Sequence, residues 1–90
     1  MAEKRTKIDI IGDMLVSIIH KEGIIKPTHL MYRSNLSHGQ MKVYLEELLE
    51  KEFIRKMKRN NCDYIMITDK GHEFVAKLRE IKEFEKTFGF

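Results

Sequence analysis

The sequence predicts a mostly α-helical domain with one small β-hairpin, an α+β fold that ends in a long helix. Three observations support this prediction. Apolar residues recur at helical spacing in four stretches. Two short β-favouring runs flank a polar stretch with two adjacent asparagines, as in a hairpin. The 90 residues, 42% hydrophobic and 34% charged, suffice for one compact core and little more. We expect that core in residues 1–68 and the last helix in residues 69–90.

The first helix is predicted over residues 7–22, after a short basic tail. Its apolar residues follow the i, i+3, i+4, i+7 spacing of an amphipathic helix. They are Ile8, Ile11, Met14, Leu15, Ile18 and Ile19. Gly23 is predicted to end the helix as the first residue beyond its C-cap. The short β-branched stretch at 24–26 is expected to pair as a strand.

Two further helices are predicted on either side of a tight turn at residues 34–36. Pro27 fits the first position of a helix that runs to about residue 34, where Asn35 breaks it. Ser37 and Gln40 have the spacing of a capping box, which begins a helix that runs to about residue 51. The apolar side chains expected inside this second helix are Met41, Tyr44, Leu45, Leu48 and Leu49. We expect Tyr32 to lie in the core as well.

The hairpin is predicted from two β-favouring runs, residues 53–58 and 64–67, which are joined by a polar loop at residues 59–63. The two adjacent asparagines in the loop tolerate positive φ. A shift of one residue would exchange the two faces of the strands. We expect Ile65 and Ile67 to face the core, and Tyr64 and Met66 to lie on the other face.

The last helix is predicted to begin after Thr68, which caps it, with Asp69 near its positive end. Its apolar stripe continues almost to the last residue and consists of Phe74, Leu78, Ile81, Phe84 or Glu85, and Phe88. This helix is about 30 Å long, and only its first half is needed to cover so small a core.

The second half of the last helix is expected to pair antiparallel with the same helix of a second copy. Large exposed apolar patches usually mark interfaces, and the balanced charges around the stripe suit such a pairing. The residues assigned to dimerisation are Phe74, Leu78, Ile81, Phe84 and Phe88. The alternative is a monomer whose last helix folds back on its first.

The predicted order of helix, short strand, helix, turn, helix, hairpin and helix is that of a winged helix-turn-helix. In this design a recognition helix, here at about 37–51, lies in the major groove of DNA. A hairpin wing, here at about 55–66, reaches the flanking backbone.

Several motifs strengthen this interpretation: Leu30-Met31-Tyr32, Asn35-Leu36-Ser37, Tyr44 with Leu48 and Ile54, and Thr68-Asp69-Lys70-Gly71. With them the chain resembles the small archaeal winged-helix DNA-binding proteins, which include the ten-kilodalton Sulfolobus chromatin-associated class and related predicted transcription regulators. The resemblance covers about residues 7–88. It implies DNA binding by a winged helix and homodimerisation through antiparallel C-terminal helices. Two positions depart from the family pattern, since Glu52 stands where a glycine is usual and Ile65 where a tyrosine is common.

The positive charge of the chain, net +3, is concentrated in two patches. One is the N-terminus, with Lys4, Arg5 and Lys7. The other is residues 51–67, where five Lys or Arg side chains stand against two carboxylates. This segregation is typical of proteins with a polyanionic partner. The alternative is that the cations only solvate a face of the protein.

The residues predicted to bind double-stranded DNA lie around the turn and on the wing. They are Arg33, Ser37, His38, Gln40, Lys42, Arg55, Lys56, Lys58 and Arg59. Gln can read adenine edges and Lys can reach guanine or phosphate, but Ser37 and Gln40 can instead cap each other. Glu46 and Glu47 would repel phosphate, so we expect the second half of the helix to angle away from the duplex. The face is polar and only weakly basic, which predicts modest sequence specificity.

These features favour a dimeric DNA-binding protein, either a transcription regulator or a chromatin-architectural factor. The alternative is a winged-helix module that docks on proteins without binding DNA. We expect no enzyme, cofactor or metal site, because the four histidines have no i+3 or i+4 partner and no phosphate-binding loop is visible. Cys62 is expected to be a free thiol, with an intermolecular disulfide or a redox role as the alternative. A single cysteine, with neither a signal peptide nor a membrane-spanning run, predicts a cytoplasmic, nucleoid-associated protein.

Overall fold

The computed structural model describes residues 5–89. Its elements are α1 Lys7–His20, β1 Ile24–Ile25, α2 Pro27–Arg33, α3 His38–Glu50, β2 Ile54–Arg59, β3 Cys62–Ile67 and α4 Asp69–Phe88. The three strands form one antiparallel sheet in the order β1-β3-β2. The predicted α+β fold, including the short first strand and the long last helix, is confirmed. Lys4, which we placed in the basic tail, lies outside the described residues.

The end of α1 differs from the prediction. We assigned the first position beyond the C-cap to Gly23, but α1 ends earlier, at His20, and Glu22 takes that position with a φ of 63°. Gly23 follows one residue later, and its N–H donates to the carbonyl of Ile18 at 2.9 Å. This is the longer hydrogen bond of a Schellman motif.

Helices α2 and α3 end in the same way. Asn35 and Glu52 adopt left-handed backbone conformations with φ values of 56° and 62°. After α3, the N–H of Phe53 donates to the carbonyl of Leu48 at 3.0 Å. Glu52, which stands where the resembled family usually has a glycine, therefore has the left-handed backbone conformation that glycine favours. For a residue with a side chain, that conformation costs about 1–2 kcal/mol.

The hairpin turn is tighter than predicted. Strands β2 and β3 extend as far as Arg59 and Cys62, which pair directly, so the turn consists of Asn60 and Asn61 alone. Both asparagines have positive φ, 51° and 63°, as a type I′ turn requires. The predicted loop over 59–63 is therefore too long, because two asparagines reverse the chain without further residues.

The register of the hairpin agrees with the prediction. Ile65 and Ile67 are buried in the core, and Tyr64 and Met66 lie on the opposite face. Ile67 pairs with Ile54 at the base of the hairpin. Since Ile54 is also buried, this pair joins the sheet to the helical core.

Two expected core residues are exposed instead. Ile10, Met14 and Ile18 are buried along one face of α1, and Ile8 lies about 120° around the helix from Met14, the middle of the three, at 100° per residue. In the short helix α2, Leu30 and Met31 fill the core, and Tyr32 points outward with 71% of its surface exposed. Both predictions were wrong because the spacing of apolar residues alone does not decide which of them faces the core.

Helix α4 is fixed at its start by Thr68. The hydroxyl of Thr68 accepts the N–H of Gly71 at 3.1 Å and donates to the carbonyl of Glu52 at 2.6 Å. Gly71 is buried so closely against the carbonyl of Phe53 that a Cβ would collide with it. One turn further, the rings of Phe74 and Phe53 lie 5.0 Å apart. The predicted cap is confirmed, and α4 leaves the wing in a fixed direction.

The first half of α4 packs along α1. A Cβ on Gly12 would come within 2.7 Å of Leu78, so the two helices approach closely at this point. Lys82 then forms an ion pair with Asp9 at 3.6 Å. The pKa of the Asp9 carboxyl is lowered by the N–H and the hydroxyl of Thr6, and Lys82 lowers it further. Beyond Lys82, every described side chain of α4 is exposed.

Replacing Gly71 with alanine tests the closeness of the α4 junction. The added methyl meets a backbone carbonyl, so Gly71→Ala should lower the free energy of unfolding by about 1–3 kcal/mol. Gly39→Ala is the matched control, because nothing lies within 4 Å of its Cβ position, and it should stabilise the protein by about 0.5–1 kcal/mol. Urea unfolding followed by circular dichroism measures both. An unchanged midpoint for Gly71→Ala would contradict the packing.

Candidate nucleic-acid interface

The start of α3 is held by a capping box between Ser37 and Gln40. The N–H of Gln40 donates to the Ser37 hydroxyl at 3.2 Å, and the Gln40 side-chain oxygen accepts the N–H of Ser37 at 3.0 Å. The capping alternative weighed from the sequence is therefore present in the structure. It occupies the amide oxygen of Gln40 and leaves its NH₂ group free to donate.

The outward face of α3 is polar at its start and acidic at its end. His38, Gly39 and Lys42 are exposed, as is Val43. No carboxylate precedes Glu46 in this helix. The positive N-terminal end of the helix and its first two turns are therefore accessible to an anion.

The two cations near the N-terminus that the structure describes, Arg5 and Lys7, contact other parts of the chain. Arg5 contacts the carboxylate of Asp13 at 3.0 Å and donates to the carbonyl of Asn35 at 3.2 Å. Lys7 forms an ion pair with Glu47 at 2.6 Å. These contacts join the start of α1 to the turn before α3 and to α3 itself. The charge pattern did not reveal them, because the partners lie far away in sequence.

The four wing cations do not form one patch, because the register divides them between two faces. Side chains directly opposite each other in an antiparallel pair share a face. Lys56 pairs with Ile65 and Lys58 with Asp63, which places both lysines on the face that continues into the core. Arg55 and Arg59 alternate with them and occupy the outer face.

The outer and inner faces of the wing differ in their neighbours. On the inner face, Lys58 lies 3.9 Å from the carboxylate of Asp63. On the outer face, the guanidinium of Arg59 lies 5.9 Å from the centre of the Tyr64 ring. The charge of Lys58 is thus partly compensated, whereas Arg59 is supported by an aromatic surface and stays available.

A basic and aromatic surface on α2 was missed by the sequence analysis. Lys21, His29, Tyr32 and Arg33 line one shallow depression. The last three recur at i, i+3 and i+4, a spacing that places them on one side of a helix. Of these, only Arg33 was predicted as a binding residue, because Tyr32 was expected in the core.

The end of α4 presents an exposed apolar surface made of Ile81, Phe84 and Phe88. Each is more than half exposed, and the two phenylalanine rings lie 4.8 Å apart. The other two residues assigned to dimerisation contact their own domain, since Phe74 packs on Phe53 and Leu78 lies beside Gly12.

Across residues 5–89, no cluster of three or more His, Cys, Asp or Glu side chains could hold a metal ion. Cys62 is exposed and forms no disulfide. None of the helices in this range combines the length and the apolar character that crossing a bilayer demands.

Residues 4–86 match the model of a protein family described as winged helix-turn-helix. An uncharacterized protein of Methanocaldococcus jannaschii is 36% identical over 78 residues, which are 87% of this chain and 34% of that protein. The chain thus spans about a third of the length of the curated relative it matches.

Two solved structures share the fold. Sso10a-2, a DNA-binding protein from Sulfolobus solfataricus, matches with a TM-score of 0.79 and 19% identity over 93% of this chain and 85% of that one. F93 from STIV, a winged-helix DNA-binding protein, matches with a TM-score of 0.74 and 17% identity over 93% of this chain and 95% of that one. At such identities the likeness establishes the fold alone. Together with the family match, it confirms the resemblance that the motifs indicated.

The role of Gln40 in the capping box can be tested by its effect on stability. Gln40→Ala should lower the free energy of unfolding by about 1 kcal/mol, because the N–H of Ser37 loses its partner. Gln40→Glu keeps an acceptor oxygen and adds a negative charge near the positive end of α3, so it should keep full stability. Thermal unfolding followed by circular dichroism measures both. Equal midpoints for the alanine variant and the unchanged protein would contradict the capping role.

Proposed function

The chain belongs to the winged helix-turn-helix family, and on this premise we propose that it binds double-stranded DNA as a homodimer. It acts as a transcription regulator or a chromatin-architectural factor, in the cytoplasm and in association with the nucleoid. One observation carries the proposal: the exposed face of the first half of α3 carries no carboxylate, and the hairpin that comes after α3 carries four exposed cations. The proposal includes no catalysis, cofactor or metal.

In this proposal α3 enters the major groove, which admits an α-helix. Ser37, His38 and Lys42 contact DNA from its first two turns, with the free backbone N–H groups of the helix end directed at a phosphate. Gln40 contributes its NH₂ group while its oxygen stays in the capping box. Arg33, exposed at the end of α2, contacts the backbone.

The wing supplies contacts that do not depend on base sequence. Arg55 and Arg59 lie on its outer face, and an arginine fork binds phosphate oxygens with two parallel hydrogen bonds. Lys56 and Lys58 serve the same purpose from the inner face, where Asp63 weakens the charge of Lys58. We therefore expect the two arginines to contribute more than the two lysines.

The apolar end of α4 supports the homodimer. Ile81, Phe84 and Phe88 form a contiguous exposed surface on a helix that has already left its own core, and such surfaces usually mark interfaces. In an antiparallel pair about Ile81, Phe88 of one copy comes opposite Phe74 of the other, since each lies seven residues from that point. A closed two-fold dimer presents two recognition helices and multiplies a weak affinity.

A protein-docking module is the second candidate. The exposed ring of Tyr32 beside His29 favours it, because aromatic side chains are enriched in protein interfaces. Salt dependence separates the two functions. Each phosphate contact adds about 0.9 to the slope of log affinity for duplex DNA against log salt concentration. A module that docks only on proteins would show no salt-dependent binding of duplex DNA.

Reversing the charge of one wing face at a time tests the DNA contact. Arg55→Glu with Arg59→Glu should weaken binding to all duplex sequences and flatten the salt slope by about 0.9 for each phosphate that the wing no longer binds. Lys56→Glu with Lys58→Glu is the matched control, because it makes the same change in net charge on the other face, and it should have a smaller effect. Fluorescence anisotropy over a salt series measures both. If neither variant changes affinity or slope, the wing does not contact DNA.

Light scattering tests the homodimer. The intact protein should have the mass of two chains at micromolar concentration. Ile81→Lys with Phe84→Lys should be monomeric, because two charges would be buried in an apolar seam. Glu83→Lys makes the same change in net charge at an exposed position about 160° around the helix from Ile81 and should stay dimeric. An intact protein with the mass of one chain would refute the dimer.

A further inference from the structure

We propose that Val43 determines sequence preference by contacting the 5-methyl group of thymine in the major groove. The inference rests on the proposed DNA binding and specifies which DNA sequences α3 prefers. Sites that place thymine opposite the second turn of α3 would be bound more tightly than sites that lack it.

The first argument is the position of Val43. Its side chain is 62% exposed in the middle of the outward face of α3. One turn earlier stands Gly39, whose Cβ position has nothing within 4 Å. No side chain therefore stands between Val43 and a surface that approaches the first half of the helix.

The second argument is that valine is poorly suited to this exposed helical position in the free protein. A β-branched side chain loses rotamer freedom in a helix, so valine forms helices less well than alanine, leucine or lysine. Exposure removes the compensation that burial would bring. Its charged neighbours on α3, Lys42, Glu46 and Glu47, are residues that suit an exposed helix.

The third argument concerns the groups left to read bases by hydrogen bonds. A bidentate contact with adenine requires both the oxygen and the NH₂ of an amide side chain. The oxygen of Gln40 already accepts the N–H of Ser37 at 3.0 Å. A bidentate contact between Gln40 and adenine would therefore break the helix cap. A·T pairs are better recognised through the thymine methyl group, the one apolar feature of their major-groove edge.

Two duplexes of about 20 base pairs, or two helical turns, provide the test. One has alternating A·T pairs, and the other has deoxyuridine in place of every thymidine. They carry the same charge and the same hydrogen-bonding groups, and differ in the 5-methyl groups. Burial of one methyl group corresponds to an affinity change of about fourfold. We expect the unchanged protein to bind the thymine duplex at least fourfold more tightly.

Two variants assign that preference to its source. Val43→Ser, which has a similar helix propensity, should bind the two duplexes equally. Lys42→Ala should weaken binding to both and keep their ratio, which controls for any difference in shape or flexibility between the duplexes. Circular dichroism confirms that each variant is folded, as expected for exposed positions.

The outcomes separate the two proposals. If the unchanged protein binds the duplexes equally, or if Val43→Ser keeps the full thymine preference, this inference is overturned and DNA binding stands. If the unchanged protein binds neither duplex at low salt, both proposals are overturned together.

Discussion

The hydroxyl of Thr68 makes the interaction on which the rest of the structure depends. It donates to the carbonyl of Glu52, just before the wing, and accepts the N–H of Gly71 in the first turn of α4. The N–H of Thr68 also donates to the carbonyl of Phe53 at 3.1 Å. The base of the hairpin and the start of the long helix are therefore tied at one point. From this point the wing extends in one direction and the apolar end of α4 in another, so the two surfaces have a fixed relation.

Features with a local cause could be predicted from the sequence. The capping box of Ser37 and Gln40 spans four residues, and the cap of Thr68 on Gly71 also spans four. The hairpin follows from two asparagines that tolerate left-handed backbone. In each case the hydrogen bond or the φ value is decided by neighbours in the chain, so no knowledge of the tertiary structure is needed.

Features that depend on distant partners could not be predicted. Whether Arg5 is free for DNA depends on the carbonyl of Asn35, thirty residues away, and whether Lys7 is free depends on Glu47. The division of the wing cations between two faces depends on the register, which a single slipped residue would reverse. Tyr32 lies at the edge of a short helix, where the apolar spacing leaves its direction open.

The two-residue turn of Asn60 and Asn61 has a consequence for the thermodynamics of association. A hairpin closed by so short a turn has no slack segment at its tip, and its backbone is already ordered before a partner arrives. Binding then need not order a loop, and the conformational-entropy penalty within the wing falls on its long side chains, at about 0.5–1.5 kcal/mol for each one immobilised. Arg59 should lose less side-chain entropy on binding, because the Tyr64 ring already restricts where its guanidinium can lie.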